Sequence, residues 1–521
     1  MTNVLSLSQL PSGHTHQLDH AGTKVLLTNV EGTVYAVESK CSHFGLPLEN
    51  AALCGHRLRC PFHHACFDVR DGKQLEAPGM DGLATFEVTI KDGAIHLSDA
   101  ATPGPEPSPE PAAAPEYQTY YDYAVVGGGI AAANAVDGIR ELDKDGSIVL
   151  LTREDLPPYD RTHVSKALMA GGKETADLPV RSEDYYARQG VDLREKTIVS
   201  EVNVEKKTIS ILGGDVLTYQ KVLLATGGTP RQLSLPGSAL HEVHLVRRAS
   251  DAEAIRKKVS RGTKVVVIGG SFIGLEAAMS LGKQGGEITV VAPEETLFAG
   301  PFGERIGNWI QGLHEAEGVK FRLGRKVEEI SGSGKVSGVI LDNGDELVAD
   351  IVVVGIGVVP ETSYLAGLAA TEDGGVKVDN HLAANVDGVW AAGDIAQYPD
   401  REGAARIEHW KVAAQQGKVA GRNMAGANEP YTMVPFFWSN QQGTNIRYVG
   451  HATDYDEIVY DGTPGEGPFI AFYLKGDHCQ AALGVKRDAD VAMIGELMNA
   501  GRMPGNDALM GTDWKNSVIG K

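Results

Sequence analysis

The 521-residue chain has few cysteines, no long apolar run and no excess of basic residues. Five cysteines are too few for a disulfide framework, so we expect free thiols and a reducing, cytoplasmic compartment. No stretch approaches the roughly 18 to 20 apolar residues of a membrane-spanning helix, and residues 1–10 lack the pattern of a targeting peptide. The formal net charge of −20 argues against nucleic-acid binding, which needs a basic surface. A cytoplasmic enzyme without a membrane span is therefore predicted.

Two Cys–His pairs on loops that contain glycine and proline suggest a metal centre. Cys41 and His43 lie on the first loop, and Cys60 and His63 lie on the second. Two thiolates and two imidazoles are the ligand set of a Rieske [2Fe–2S] cluster, in which the histidines bind one of the two irons. A Cys₂His₂ zinc site is the alternative, but zinc fingers usually keep the two cysteines in one half and the two histidines in the other. The mixed pairs favour the [2Fe–2S] cluster.

The segment around these loops resembles the Rieske ferredoxin family over about residues 4–98. Respiratory members of that family carry an extra cysteine in each loop and a serine near the second histidine. This chain has Leu46, Phe62 and Ala65 at those positions, so no disulfide between the loops is expected and one hydroxyl donor is missing. Fewer hydrogen bonds to the cluster predict a reduction potential near the bottom of the Rieske range, about −150 mV. His64 stands where such ferredoxins usually have glycine, so the turn of the second loop is not predicted.

A first dinucleotide-binding unit begins at an apolar strand pattern, residues 123–126. This pattern runs into Gly127-Gly128-Gly129-Ile130-Ala131-Ala132, a G-x-G-x-x-A turn followed by a helical pattern. The glycines allow a tight turn and let a pyrophosphate approach the N-terminus of the helix. An acidic partner for the ribose is expected about 20 residues after the turn. Glu154 is the candidate, with Arg153 in the competing register.

A second unit of the same kind follows at residues 264–268 and Gly269-Gly270-Ser271-Phe272-Ile273-Gly274. Ser271 replaces the middle glycine, and Glu276 follows the turn. Glu294 lies 20 residues after Gly274, where a carboxylate can accept a hydrogen bond from the ribose 2′-OH. No Arg or Lys stands between residues 284 and 302 to bind a 2′-phosphate, so NADH is predicted rather than NADPH. Two units indicate two dinucleotides, one reducing the other.

Further motifs carry a resemblance to a second family. They are Tyr159-Asp160-Arg161, Ser165-Lys166, Ala225-Thr226-Gly227, Ala392-Gly393-Asp394, His409-Trp410 and Phe437-Trp438-Ser439. Over about residues 119–520 the chain resembles the FAD-dependent ferredoxin reductases and apoptosis-inducing factor proteins. With its N-terminal unit, it is similar in domain order to the apoptosis-inducing factor 3-like group.

That resemblance implies a set of cofactor-binding residues. The FAD site would comprise Gly127, Gly129, Ile130, Ala131, Ala132, Glu154, Arg161, Val199, Thr226, Gly227, Arg231, Asp394 and Trp410. The NADH site would comprise Gly269, Ser271, Phe272, Ile273, Gly274, Glu294 and Gly357. Lys166 and Glu276 would form an ion pair near the flavin N5, where hydride arrives, and they are the predicted catalytic residues. Trp410 would lie against the flavin, although core packing is the alternative for this tryptophan and for Trp438.

The predicted fold is multidomain: a small antiparallel β Rieske domain, an α/β reductase with FAD and NAD Rossmann-like units, and an α+β C-terminal domain. A stretch rich in proline and alanine after the first domain is expected to form an extended, semi-rigid linker. The predicted boundaries are 1–99 for the Rieske domain, 100–118 for the linker, 119–248 and 372–429 for the FAD-binding domain, 249–371 for the NAD-binding domain and 430–521 for the C-terminal domain.

Disulfide reductases of this fold carry a redox-active cysteine pair, but no cysteine occurs here between Cys66 and Cys479. Electrons must therefore leave FAD by another route. We predict an NADH-dependent reductase, monomeric or homodimeric, that passes electrons through FAD and the [2Fe–2S] cluster to an unidentified one-electron acceptor protein. A redox-sensing or signalling flavoprotein and an electron-transfer component of an oxygenase system are the alternatives. A sensor would keep its reduced flavin for minutes in the presence of acceptors.

Overall fold

The computed structural model describes residues 1–105, 118–401, 403–509 and 514. Most of the predicted linker, residues 106–117, lies outside the described residues. Residues 100–102, predicted as the start of the linker, instead belong to strand Ala94–Thr102 of the first unit. Pro105 then accepts a backbone hydrogen bond from Gly82 at 3.1 Å, so the chain leaves the first unit while still in contact with it.

The N-terminal unit consists of two antiparallel sheets. The larger sheet has the strand order Thr2–Ser6, Ala94–Thr102, Thr85–Lys91, Thr33–Glu38, Thr23–Val30 and Thr15–His20. The smaller sheet contains Ala52–Cys54, Arg57–Arg59, Cys66–Asp68 and Gln74–Glu76. Asp92 and Gly93 have φ angles of 52° and 75°, as a two-residue hairpin turn of type I′ requires. The two predicted ligand loops flank the smaller sheet.

The body of the molecule contains two sheets with parallel strands. The first has five parallel strands, Val191–Arg194, Ile148–Leu151, Tyr120–Val126, Val216–Leu224 and Val389–Ala391, extended by Thr208–Ile211, Val199–Asn203 and Leu365–Ala366. The second is entirely parallel, in the order Val243–Leu245, Ile351–Val354, Lys264–Ile268, Glu287–Ala292 and Lys320–Leu323. Their central strands are almost continuously apolar and buried, because helices or further strands cover both faces.

Smaller sheets surround this body, and a five-stranded antiparallel sheet follows it. The smaller sheets are Gly228–Pro230 with Val358–Pro360; Val327–Ser333, Lys335–Leu341 and Glu346–Val348; and Val376–Lys377, Ala396–Asp400 and Gly403–Ala405. The C-terminal sheet has the order Phe436–Gln441, Thr444–Gly450, His478–Val485, Phe469–Lys475 and Glu457–Asp461. This sheet and helix Asp488–Asn499 agree with the α+β C-terminal domain that the sequence predicted.

Nine α-helices occur in the described part of the chain. They are α1 Ile130–Leu142, α2 Glu183–Arg188, α3 Ala249–Arg256, α4 Phe272–Lys283, α5 Ala299–Phe302, α6 Glu304–Ala316, α7 Trp410–Met424, α8 Asp488–Asn499 and α9 Asn506–Leu509. Single 3₁₀ turns occur at Leu7–Gln9, Arg161–His163 and Thr175–Asp177, and a π-helical turn at Val164–Leu168. Among the described helices, none is long and apolar enough to cross a membrane. The predicted fold class is confirmed.

Helices α1 and α7 pack against each other through glycines. A Cβ atom on Gly417 would lie 2.1 Å from the carbonyl oxygen of Ala131, and one on Gly421 would lie 2.2 Å from that of Ala135. From the other side, a Cβ atom on Gly138 would lie 2.4 Å from the carbonyl oxygen of Lys418. Because only glycine permits this separation, α7 holds α1, and with it the first glycine turn, in a fixed position.

We expect Gly417→Ala to destabilise the protein by about 1–3 kcal/mol, because the added methyl group must displace helix backbone. Gly312→Ala on α6 is the matched control, since a Cβ there meets nothing within 4 Å and alanine should stabilise the helix by roughly 0.5–1 kcal/mol. Thermal unfolding followed by far-UV circular dichroism measures both. Equal melting temperatures for Gly417→Ala and the parent would contradict this account of the contact.

Candidate functional site

A cavity of about 650 Å³ lies between the two parallel sheets and the C-terminal sheet. Seventeen of the 22 predicted cofactor residues line it: Gly127, Gly129, Ile130, Ala131, Glu154, Arg161, Lys166, Val199, Thr226, Gly227, Ser271, Phe272, Ile273, Glu276, Gly357, Asp394 and Trp410. Predicted cofactor residues as far apart in the chain as Gly127 and Trp410, 283 positions, therefore meet at one site. This size and composition suit a ligand larger than a single mononucleotide.

The first glycine turn has the shape that a pyrophosphate needs. Gly127 has a φ of 134°, and a Cβ atom there would lie 2.1 Å from the carbonyl oxygen of Ala225. A Cβ on Gly129 would meet nothing within 4 Å, so the backbone N–H groups at the start of α1 face open cavity. Ala132, at the third position of the motif, is fully buried behind the turn. These residues fit a dinucleotide phosphate at the N-terminus of α1.

In the second glycine turn, the side chain of Ser271 makes hydrogen bonds that a glycine could not make. The Ser271 hydroxyl donates to the carbonyl oxygen of Gly355 at 2.8 Å and caps α4 by accepting from the backbone N–H of Gly274. Gly269 and Gly274 do not line the cavity; instead, a Cβ on Gly274 would lie 2.3 Å from the carbonyl oxygen of Gly269. These two glycines therefore allow close packing between helix and strand.

Two predicted residues lie away from the cavity. The side chains of Arg231 and Glu294 are exposed, and neither residue lines the cavity. Arg231 lies beside Gly357, to whose carbonyl oxygen its backbone N–H donates at 3.0 Å. Glu294 comes two residues after strand Glu287–Ala292. Their roles in binding phosphate and ribose stay predictions.

Glu154 and Asp394 are held at the cavity wall by arginines. Glu154 accepts from Tyr159 at 2.7 Å and pairs with Arg161; burial opposes ionisation, but Arg161 holds the pKa of Glu154 below its usual value. Asp394 pairs with Arg247 at 3.0 Å. Arg247 also lines the cavity, and no sequence motif singled it out.

Lys166 and Glu276 form the predicted ion pair, with Nζ and Oε2 2.8 Å apart. Lys166 lies on a π-helical turn that directly follows the 3₁₀ turn Arg161–His163, a conformation often found at functional sites. The Glu276 side chain is buried, at 4% exposed, whereas that of Lys166 is 23% exposed. An ammonium group is therefore fixed at the cavity wall by a buried carboxylate.

A chain of hydrogen bonds fixes that carboxylate. Ser165 donates to Glu276 Oε2 at 2.6 Å, and Ser439 donates to Oε1 at 2.9 Å. Gln441 donates to Ser439 at 2.8 Å, and its amide oxygen lies 2.7 Å from His314 Nε2 on α6. Both carboxylate oxygens are thus satisfied, and the C-terminal sheet contributes to the geometry of the ion pair.

The four predicted metal ligands converge between the two ligand loops. Nδ1 of His43 and Nδ1 of His63 are 3.3 Å apart, and both cysteines are buried. A hydrogen bond from the Cys41 thiol lowers the pKa of Cys60, and backbone N–H groups of both loops point at the sulfurs. Burial lowers the pKa of His43 to about 4 and that of His63 to about 2. The same hydrogen bond, together with burial, raises the pKa of the Cys41 thiol. Neutral imidazoles and one acidified thiol suit the ligand set of a Rieske cluster.

The structure shows why the second loop has His64 where similar ferredoxins usually have glycine. Its φ is 61°, in the left-handed region where glycine is the ordinary residue. The imidazole is fully buried and stacks on Phe436 of the C-terminal sheet, with ring centroids 3.6 Å apart. The backbone cost of this conformation is of order 1–3 kcal/mol. Here it brings a side chain of the N-terminal unit into the C-terminal unit.

Aromatic rings join the metal ligands to the cavity. Trp410 and Trp438 both line the cavity. The ring of His43 lies 5.8 Å from that of Trp410, and the ring of His63 lies 4.6 Å from that of Trp438, centroid to centroid. The ligand loops are therefore docked on the reductase body. The sequence predicted a semi-rigid linker after the Rieske domain but not where that domain lies relative to the cavity.

A buried group of ion pairs fastens this docking, and we call it the interdomain charge cluster: Arg57, Arg59, Glu76, Lys411 and Glu496. Arg59 lies 2.5 Å from Glu496 Oε1 and 2.7 Å from Glu76 Oε1, while Arg57 lies 3.0 Å from Glu496 Oε2. The carboxylates of Glu76 and Glu496 also lie near Cys66, but both are already paired with the guanidinium groups of the arginines. Burial lowers the pKa of Lys411 to about 8, against the pull of Glu76.

These features define a class of protein. Two glycine turns meet at one cavity, an ion pair is fixed beside it, and the four predicted metal ligands of Rieske type lie behind two tryptophans. The chain is a two-dinucleotide flavoprotein reductase with a built-in Rieske centre.

Comparisons with known proteins agree with this class. The family model for pyridine nucleotide-disulphide oxidoreductase matches residues 121–417, the Rieske [2Fe-2S] domain model matches 1–87, and the reductase C-terminal model matches 436–515. The chain belongs to the pyridine nucleotide-disulphide oxidoreductase family, in its branch with an N-terminal Rieske domain. It is an NADH-dependent flavoprotein reductase whose cofactors are FAD and a [2Fe–2S] cluster.

Individual relatives cover most of the chain. Apoptosis-inducing factor 3 of Homo sapiens is 32% identical over 511 residues, which are 96% of this chain and 84% of that protein. The anthranilate 1,2-dioxygenase system ferredoxin–NAD(+) reductase component of Burkholderia cepacia is 34% identical over 388 residues, 73% of this chain and 95% of that protein. The covalent putidaredoxin reductase–putidaredoxin complex contains a chain with a TM-score of 0.73 and 27% identity, covering 77% of this chain and 99% of its own.

We expect Glu496→Ala to loosen the docked Rieske domain. The substitution removes one of two carboxylates from the buried side chain of Arg59 and the partly exposed side chain of Arg57, and breaking a buried ion pair costs about 3–5 kcal/mol. Anaerobic stopped-flow absorbance should then show slower cluster reduction after unchanged flavin reduction by NADH.

Glu466→Ala, an exposed acid on the same domain, is the control and should behave as the parent. Parental rates of cluster reduction together with a parental melting temperature in Glu496→Ala would argue against a role for the interdomain charge cluster in docking.

Proposed function

We propose that the chain passes electrons from NADH through FAD to its own [2Fe–2S] cluster and then to a one-electron acceptor protein. The observation that carries this proposal is the contact of His43 and His63 with the cavity-lining Trp410 and Trp438. When bound, a flavin accepts hydride and releases electrons singly, whereas a Rieske cluster takes one electron at a time. Ring contact at about 5 Å suits electron transfer within the docked molecule.

The residues at the cavity wall have separate tasks in this proposal. Gly127 and Gly129 bind the FAD pyrophosphate at the start of α1, and α4 receives NADH on the other side of the cavity. Lys166 holds a positive charge near the position where reduction builds negative charge, and Glu276 keeps that ammonium in place. Fixed charge directed at developing charge lowers the barrier without a cost of reorganisation.

The His409 imidazole completes the wall in its neutral form. Burial, with Lys166 and Lys411 nearby, lowers the pKa of His409 to about 3. Its Nδ1 accepts from the backbone N–H of Lys411 at 3.2 Å and caps α7. A neutral imidazole adds no second positive charge beside Lys166, so the cation at this wall stays localised on one side chain.

The class of acceptor, the cellular location and the oligomeric state are further parts of the proposal. The relative from Burkholderia cepacia is named for a dioxygenase system, and this favours an oxygenase component as one class of acceptor. The five cysteines are free thiols, which agrees with a cytoplasmic location. We propose a monomer or homodimer.

Lys166→Ala should slow flavin reduction by NADH tenfold or more, equivalent to about 1.4 kcal/mol of barrier, with FAD still bound. The lost ammonium no longer stabilises the charge that develops on the flavin. Stopped-flow absorbance of the oxidised flavin measures the rate. Lys144→Ala, at an exposed site, should leave it unchanged; parental kinetics in Lys166→Ala would remove Lys166 and Glu276 from the catalytic residues.

Cys60→Ser should lose the cluster but keep rapid flavin reduction by NADH and dye reduction at the flavin. It should fail with a one-electron haem-protein acceptor that the parent reduces, because a cluster ligand has been removed from the path. Cys54→Ser in the same domain is the matched control. If Cys60→Ser reduced the haem protein at the parental rate, the Rieske domain would not lie on the path and a sensing role would gain support.

A further inference from the structure

Arg447 is a buried cation on strand Thr444–Gly450 of the C-terminal sheet. Its side chain is 3% exposed. Among the described residues, neither its Nε nor its Nη1 has a hydrogen-bond partner. Burial lowers the pKa of Arg447, against the pull of Asp488 and Cys60, but an arginine stays protonated at neutral pH. A buried charge with unbonded N–H groups is costly and needs a compensating partner.

Asp488, at the start of α8, is the acid paired with Arg447. Its Oδ1 lies 3.4 Å from Arg447 Nε, but in the described part of the chain neither atom makes a hydrogen bond. The Asp488 side chain is 29% exposed, whereas that of Arg447 is 3% exposed. The pair is therefore neutral overall, with its negative end reaching solvent and its positive end enclosed by protein.

The enclosed guanidinium lies on the sheet face that covers the second ligand loop. Arg447 is directly opposite Trp438 on the neighbouring antiparallel strand, and opposite residues share one face of a sheet. The ring of Trp438 lies 4.6 Å from that of His63. Phe436, two residues before Trp438 and so on the same face, stacks on His64. One face of the C-terminal sheet thus places an aromatic ring and a cation beside this loop.

The charge of Arg447 acts on both predicted ligands of that loop. A hydrogen bond from Cys41 is the main reason for the lowered pKa of Cys60, and Arg447 lowers it further. Burial is the main reason for the low pKa of His63, and the charges of His43 and Arg447 add to it. The guanidinium therefore stabilises negative charge at the loop, and such interactions are stronger in a buried site than in water.

One-electron reduction adds a unit of negative charge at these ligands, and nearby positive charge favours the reduced state. We propose that Arg447, a residue of the reductase, raises the reduction potential of the docked Rieske cluster. This inference deepens the proposed function, because the potential sets the driving force for the step from flavin to cluster. Since Arg447 belongs to another domain than the ligands, the potential depends on the docking of the Rieske domain.

The test is an anaerobic redox titration of the full-length holoprotein at pH 7 with dithionite and mediators, in which EPR of the reduced cluster reports the potential. Arg447→Gln should shift the reduction equilibrium at least tenfold toward the oxidised cluster, equivalent to about 59 mV for a one-electron couple. Arg447→Lys keeps the charge and should shift the equilibrium less. Iron and sulfide analysis verifies that each variant contains its cluster.

Asp488→Asn should change the potential in the opposite direction, which a merely structural role of Arg447 does not predict. The substitution leaves the guanidinium without its counter-charge, so the equilibrium should shift more than twofold toward the reduced cluster. This variant also decides the matter if Arg447→Gln loses its cluster. Lys486→Gln removes an exposed cation two residues before Asp488 and should match the parent, because water and salt screen exposed charges.

Two sets of outcomes would overturn different claims. The role of Arg447 would be wrong if a cluster-containing Arg447→Gln and Asp488→Asn both stayed within twofold of the parental equilibrium, or if both shifted it in one direction. If Arg447→Gln lost its cluster, a parental value in Asp488→Asn alone would be enough. Flavin reduction by NADH without cluster reduction in the parent would instead contradict the proposed function, and the dithionite titration would still decide the role of Arg447.

Discussion

The interaction on which the functional geometry depends is the buried contact of two carboxylates with two guanidinium groups between the Rieske domain and the reductase. Glu76 comes from the first, Glu496 from the second, and Arg59 touches both. Burying charge is favourable only when every charge is paired, so the cluster tolerates one docking position and penalises displacement. The His43–Trp410 and His63–Trp438 contacts follow from this position, since the ligand loops, Arg59 and Glu76 belong to the same small sheet and its connections. A linker alone would not fix the distance between the two histidines and the two tryptophans.

Local chemistry was predictable from the sequence, because it depends on residues close together in the chain. The two glycine turns, the Cys–His pairs and the hairpin at Asp92 and Gly93 each fix their own backbone shape through a few neighbouring residues. The Lys166–Glu276 pair joins distant positions, and the family resemblance, not spacing, pointed to it. Arg231 and Glu294 were placed by resemblance and by counting residues from a motif. Counting does not define the path of an exposed loop, and neither side chain lines the cavity.

What the sequence did not predict are contacts between units that are far apart in the chain. Nothing near Arg59 indicates that Glu496 will neutralise it, and an isolated buried arginine is indistinguishable in sequence from a surface one. His64 offered a usable clue, because a histidine at a glycine position implies a residue accepting left-handed backbone. Such a residue needs a compensating contact, which the structure supplies through Phe436. The position of the Rieske domain follows from these long-range contacts and not from the composition of the linker.

The first turn of α7 brings the three parts of the molecule together in consecutive residues. His409 caps the helix and lines the cavity, Trp410 lies beside the predicted cluster ligand His43, and Lys411 reaches Glu76 of the Rieske domain. Successive side chains on a helix are about 100° apart, so the three directions are correct only in this register. Insertion or deletion of one residue between Lys411 and Gly417, which packs on α1, would turn all three side chains away from their targets at once. The number of residues in this turn of the helix is thus a tighter constraint than the identity of most of them.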